Sequence, residues 1–173
     1  MSEQENNGQG PAAAGQQPQQ PGTQFKVQRV YLKDLSFEAP MGVEAFRQSS
    51  QPGVEQELNT QITRIDETTH EVVLLLTVTA KSEGRTVFLV EVKQAGLFHV
   101  QGFEGMQLNQ VLNTTCAQIL FPYVREVIDS TLMRGTFPPL MLPPINFDAV
   151  FAQAVSQAKK KAESGQPEGS NVQ

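Results

Sequence analysis

The chain has no tryptophan, one cysteine, two histidines and two tyrosines in 173 residues. A single cysteine, Cys116, excludes an intrachain disulfide and gives no support for an oxidising compartment. With His70 and His99 as the only histidines, and none of the three close together, the chain lacks the four N/S ligands of a structural zinc site. Long apolar runs are also missing, since Val72 to Leu76 is the longest and a bilayer span needs about 20 residues. The opening MSEQENNGQG has no basic stretch followed by an apolar one, so no signal peptide is expected and the cytosol is the expected location. Basic charge is short as well: 18 acidic against 13 basic residues leave a net of -5, and no basic stripe precedes Lys159, Lys160 and Lys161. That balance argues against a nucleic-acid partner and favours a basic protein one.

What is present reads as one domain between two tails. Residues 1–24 are mostly Gln, Gly, Pro, Ala and Asn, and 163–173 repeat that composition, so both are expected to be disordered and the folded unit to span 25–162. From Phe25 the odd positions Val27, Tyr31, Leu35 and Phe37 are apolar and the even ones largely polar, a strand with two faces. Val54, Leu58 and Ile62 mark a second strand. Val72, Leu74, Leu76 and Val78 mark a third, and Phe88, Val90 and Val92 a fourth. Short polar turns between them favour antiparallel pairing.

The period then changes to that of a helix. Leu108, Leu112, Cys116, Leu120, Val124, Ile128 and Leu132 recur every four residues, predicting one long helix from about Glu104 to Arg134 that kinks or breaks at Pro122 and stops at Gly135. Asn146 is placed to cap a second helix with Phe147, Val150, Phe151, Ala154 and Val155 on one stripe. Four strands followed by two helices define an α+β fold with a four-stranded antiparallel sheet. The helical stripe is wider than one small sheet needs, so an oligomer is expected.

No catalytic constellation stands out. GFEG at Gly102–Gly105 lacks the strand-turn-helix context and the basic residue of a phosphate loop. Cys116 falls on an apolar stripe and reads as a buried thiol, whereas His70 in a polar turn and His99 at a strand end read as solvated.

Two features point to binding instead. The segment TFPPLMLPPINF, Thr136 to Phe147, has four prolines, no charge between its ends and six large apolar side chains, although loops are normally polar. It must be covered by its own domain, by another subunit or by something bound. The outward parity of the strands, with Asp34 and Glu38 on the first and Leu89 and Glu91 on the fourth, makes a flat face that is acidic and apolar together. That face suits either plain solvation or a basic protein surface.

RVYLKDLSFEAP in the first strand, FLVEVKQAGLF in the fourth, ILFPYVREVI in the long helix and RGTFPPLMLPPINFDAVF after it, in this order, resemble the SecB family of export chaperones over Phe25 to Phe151. The resemblance implies a non-enzymatic, ATP-independent holdase without cofactor. It would hold unfolded precursor proteins in apolar grooves and deliver them to the SecA translocation ATPase, without inserting into the membrane. It implies a homotetramer, a dimer of dimers, with Val90, Val92 and Gln94 at positions that affect assembly. SecA docking falls on Asp34, Glu38, Leu89 and Glu91, and the substrate groove on Phe137, Leu140, Leu142, Phe147 and Phe151. The chain departs from the family pattern in having Ser50 where a tryptophan is usual and Ala95 in place of a glycine. It also has a long N-terminal tail and the lysine run at 159–161. A carrier of a small apolar ligand is the alternative that the same α+β architecture allows.

Overall fold

A computed structural model describes residues 22–47 and 51–164. Ser50 and the two tails lie outside the described residues, save for residues 22–24, where the first strand begins at Gln24, and 163–164, which end the last helix. Four strands, β1 (Gln24–Glu38), β2 (Gly53–Arg64), β3 (Thr69–Ser82) and β4 (Arg85–Gln101), form one antiparallel sheet in the order β1-β4-β3-β2. A 3₁₀ turn at Gly42–Phe46 follows β1, and three helices follow the sheet: α1 (Gly105–Asn113), α2 (Thr115–Arg134) and α3 (Phe147–Ser164).

The even residues of β3 and β4 face α2. Val72, Leu74, Leu76 and Val78 meet Val90, Val92 and Phe98 in one layer, and Cys116, Leu120, Val124, Ile128 and Leu132 of α2 close it, all fully buried. Each such side chain contributes about 1.5–3 kcal/mol of apolar burial, which makes this layer the stable centre of the domain. Gly96 belongs to the same face, and a Cβ there would lie 2.5 Å from the Phe98 ring and 3.1 Å from Leu120. Its neighbour Ala95 points to the other face, where its methyl is buried, so the alanine at that position is accommodated and a second one at 96 would not be.

The structure corrects three sequence expectations. In β1 a single alternation does not hold: the pairing with β4 shifts register between Val27 and Arg29 and again between Leu32 and Asp34. Each extra residue flips the side chains to the opposite face. Val30 therefore packs on the core, while Tyr31 turns outward and donates its hydroxyl to Glu71. The second shift restores the original parity, so Asp34 and Glu38 face outward as expected.

The long helix is two helices, and the break is at Thr114, not Pro122. Asn113 Nδ2 donates to the carbonyl of Asn109, a side-chain bond that competes with helix geometry, and Thr114 sits at φ -111°, ψ -67°. Pro122 stays inside α2 with its ring in solvent. It costs the Gln118 carbonyl its helical partner, a loss that the buried stripe on the opposite side of α2 outweighs.

His70 is also misplaced by the turn reading. It opens β3 on the helix-facing side and is buried, and burial followed by the Arg64 charge holds its pKa below the usual histidine range.

α2 does stop before Gly135, and the glycine there meets a steric need. Its φ is ordinary at -78°, but a Cβ would lie 2.6 Å from the Phe37 ring. The left-handed residue is Thr136, φ 61°, and the N–H groups of Thr136 and Phe137 return to the carbonyls of Met133 and Leu132. This double bond pattern closes the helix and aims Phe137 at the core. At the start of α3, Asn146 Oδ1 accepts the N–H of Ala149, the expected cap.

Candidate binding surfaces

The outer face of the sheet is built by β1, β4, β3 and β2 in adjacent rows. Asp34 stands beside Lys93, Ser36 beside Glu91, and Glu38 beside Leu89. The four residues singled out from sequence are therefore one patch, on the side of the sheet away from the helices. Lys93 was missed. Its Nζ lies 3.0 Å from Asp34 and 3.4 Å from Glu91, and those two carboxylates, Asp34 first, raise its pKa. The signal was available, because residues two apart on a strand share a face and Lys93 follows Glu91 by two. Glu91 also accepts a bond from the Thr77 hydroxyl at 3.3 Å. A second knot joins the same face, where Glu71 takes Lys33 at 2.7 Å and Tyr31, and both bonds hold its pKa low. The acidic patch is thus partly neutralised within the chain, while Glu38 has no ion pair among the described residues.

The other face presents the apolar loop. Phe137, Leu142 and Phe147 are buried in the chain's own core, whereas Leu140 and Phe151 are half-buried and Met141 is 69 % exposed. Phe137 is the hub of four rings: Phe88 lies 5.0 Å away between centroids, Phe46 at 5.3 Å and Phe37 at 6.3 Å. Phe46, on the 3₁₀ turn, caps this cluster with 56 % of its surface in solvent. Sequence reading passed over it because the prolines and glycines around it marked only punctuation. Phe147 stacks edge-on against Phe121 at 5.8 Å. Above it, two open clefts share Phe151. One of about 560 Å³ lies between α1 and α3, with Met106 and Val155 on its walls, and one of about 220 Å³ lies against β2, lined by Leu58 and Val150.

Val90, Val92 and Gln94 are buried between the sheet and α2. Cys116 is buried as well, and its thiol is pushed up to about 12 by burial, far from a nucleophile's range. Among the described residues no cluster of three or more His, Cys, Asp or Glu could hold a metal ion, and no helix is long and apolar enough to cross a membrane.

A sheet with one charged face and one apolar, helix-covered face, flanked by open clefts, defines an α+β binding protein. The family model of the preprotein translocase subunit SecB matches residues 16–158. The protein-export protein SecB of Cellvibrio japonicus is 57 % identical over 172 residues, 99 % of both chains, and that of Saccharophagus degradans is 57 % identical over 88 % of this chain and 89 % of its own. Among solved structures, the SecB-like chaperone of Mycobacterium tuberculosis, in complex with a ChAD peptide from an antitoxin, has the same fold. Its TM-score is 0.57 at 17 % identity, over 70 % of this chain and 90 % of that one. The chain belongs to the SecB family of protein-export chaperones, which are not enzymes.

Proposed function

We propose that the protein is an ATP-independent holdase in the cytoplasm that binds unfolded secretory precursors on its helix side and hands them to SecA through its outer sheet face. The observation that carries this reading is the division of the sheet: Asp34, Glu38, Leu89 and Glu91 share one face, and the apolar loop and clefts lie on the other. Client and SecA can then be held at once without competing for the same surface. Within the groove, Phe137, Leu142 and Phe147 form the floor, and Leu140 and Phe151 the reachable wall. A few apolar subsites of this kind, each contributing about 1.5–3 kcal/mol, suffice when several act on one extended chain. Four copies assembled as a dimer of dimers supply that multiplicity, with Val90, Val92 and Gln94 acting on assembly by seating α2 rather than by touching a neighbour.

The test is suppression of aggregation of a denatured precursor by the purified protein without nucleotide; a strict nucleotide requirement would sink the reading. Native mass spectrometry should find a tetramer carrying extended polypeptide. Titration with SecA at low and high salt should show binding that weakens as salt screens the acidic face.

A further inference from the structure

The apolar loop between α2 and α3 has few ways to hold its shape. Prolines at 138, 139, 143 and 144 leave only Leu140, Met141 and Leu142 with backbone N–H groups in residues 138–144. No regular secondary structure spans these residues. Two of the three donors converge on one atom. Asp129 Oδ1, on α2, accepts the N–H of Leu140 at 2.9 Å and that of Met141 at 3.3 Å. Met141 has φ 51°, a left-handed conformation that an L side chain adopts at a cost unless something holds it. Successive N–H groups pointing the same way around such a residue form a concave donor pair suited to an anion. A carboxylate satisfying both is a charge-assisted bond, stronger than a neutral one.

We propose that Asp129 is a positioning residue for client binding: its carboxylate clamps Leu140 and Met141, and so fixes the apolar wall in the one shape that presents Leu140 and Met141 beside the groove. The inference rests on the groove reading given above. The prolines remove alternative conformations before binding, and Asp129 selects among those that remain. The loop is therefore ordered in advance, and less conformational freedom is lost when a client lands. Without the clamp, Met141 leaves the left-handed region, and the half-buried Leu140 loses its place against the core.

The test uses the full-length protein with Asp129→Ala and Asp129→Asn, the second keeping Oδ1 as a neutral acceptor. Amide exchange at Leu140 and Met141 is followed by NMR. Release of a fluorescent, reduced and alkylated unfolded polypeptide is followed by stopped flow. The expected result is exchange about tenfold faster or more at those two amides in Asp129→Ala, with α2 and β3 amides unchanged. Client release should be several-fold faster, and Asp129→Asn should lie between wild type and alanine on both readouts. Equal exchange in all three proteins overturns the clamp. Faster exchange with unaltered release overturns its part in client binding. Phe151→Ser is the separate control on the groove: if it leaves capture intact, the groove reading fails, and the exchange result alone decides whether Asp129 clamps the loop.

Discussion

Along β4, Leu89, Glu91 and Lys93 point to one side of the sheet and Val90, Val92 and Gln94 to the other, so a single strand writes two different surfaces. On the outer side the ion pairs are at least partly exposed: Lys93 with Asp34 and Glu91, Lys33 with Glu71, and Lys81 with Glu55 at 2.7 Å. Exposed ion pairs of this kind add little to stability. On the inner side the contacts are apolar and closed, running from Phe98 through Leu120 to Leu132, and continued by the Phe137 ring cluster. The difference separates two tasks. The inner face holds most of the buried core, whereas the outer face combines buried small aliphatics, Val73 and Ala95, with charged side chains that the core does not use.

Four measurements can break or sharpen that contrast. The largest effect is expected at the hub of the inner face. Phe137→Ala removes a buried ring from contact with Phe37, Phe46 and Phe88 and should cost ~3–5 kcal/mol in urea unfolding. A loss below ~1 kcal/mol would show that the loop does not anchor the core. Asp34→Lys and Glu91→Lys should do the reverse. SecA affinity should fall about tenfold or more, while unfolding free energy shifts within ~0.5 kcal/mol and client capture stays intact. Unchanged SecA affinity in both variants removes the patch from the docking site.

The third concerns pH. His70 is buried with a pKa held below its ordinary value by burial and then by Arg64, so the unfolded chain takes up a proton more readily than the folded one. Its contribution to stability is therefore complete above about pH 6.5 and is lost as pH falls through the depressed folded value. The urea midpoint should drop more between about pH 7.5 and pH 5 in wild type than in His70→Gln; parallel drops would assign the acid sensitivity to other groups. The smallest effect belongs to Lys93. Lys93→Gln frees Asp34 and Glu91 from their internal cation and should tighten SecA binding by about threefold at low salt, with the gain vanishing at high salt. Weaker binding in this variant would mean that Lys93 helps the partner dock rather than competing with it.

The periodic parts of the fold were legible because burial leaves a period in the sequence. The alternation in β3, the fourfold spacing of Cys116, Leu120, Val124, Ile128 and Leu132, and the cap at Asn146 each record one element meeting one core. Where a local device interrupts the period, the reading failed. Two bulges in β1 moved Val30 and Tyr31 to opposite faces from those expected, and the helix breaks at Thr114, eight residues before its proline and next to the side-chain bond of Asn113. Of the candidate surfaces, the acid positions on β1 and β4 could be read, since face follows from parity. The ring cluster and the ion pairs could not, because Phe37, Phe46, Phe88 and Phe137, or Lys93 and Asp34, are brought together from distant segments.

The sequence by itself determined the α+β order, the parity that sends Asp34, Glu38, Leu89 and Glu91 outward, and the apolar, proline-stiffened character of residues 136–147. All of these follow from local spacing and from what each residue type can do with its own backbone. Only the tertiary structure decided which loop side chains are buried and which are exposed, that Lys93 shares Asp34 and Glu91, and that Asp129 accepts the N–H groups of Leu140 and Met141. Burial and pairing are properties of what lies across a gap in space, and the chain alone does not say what that will be.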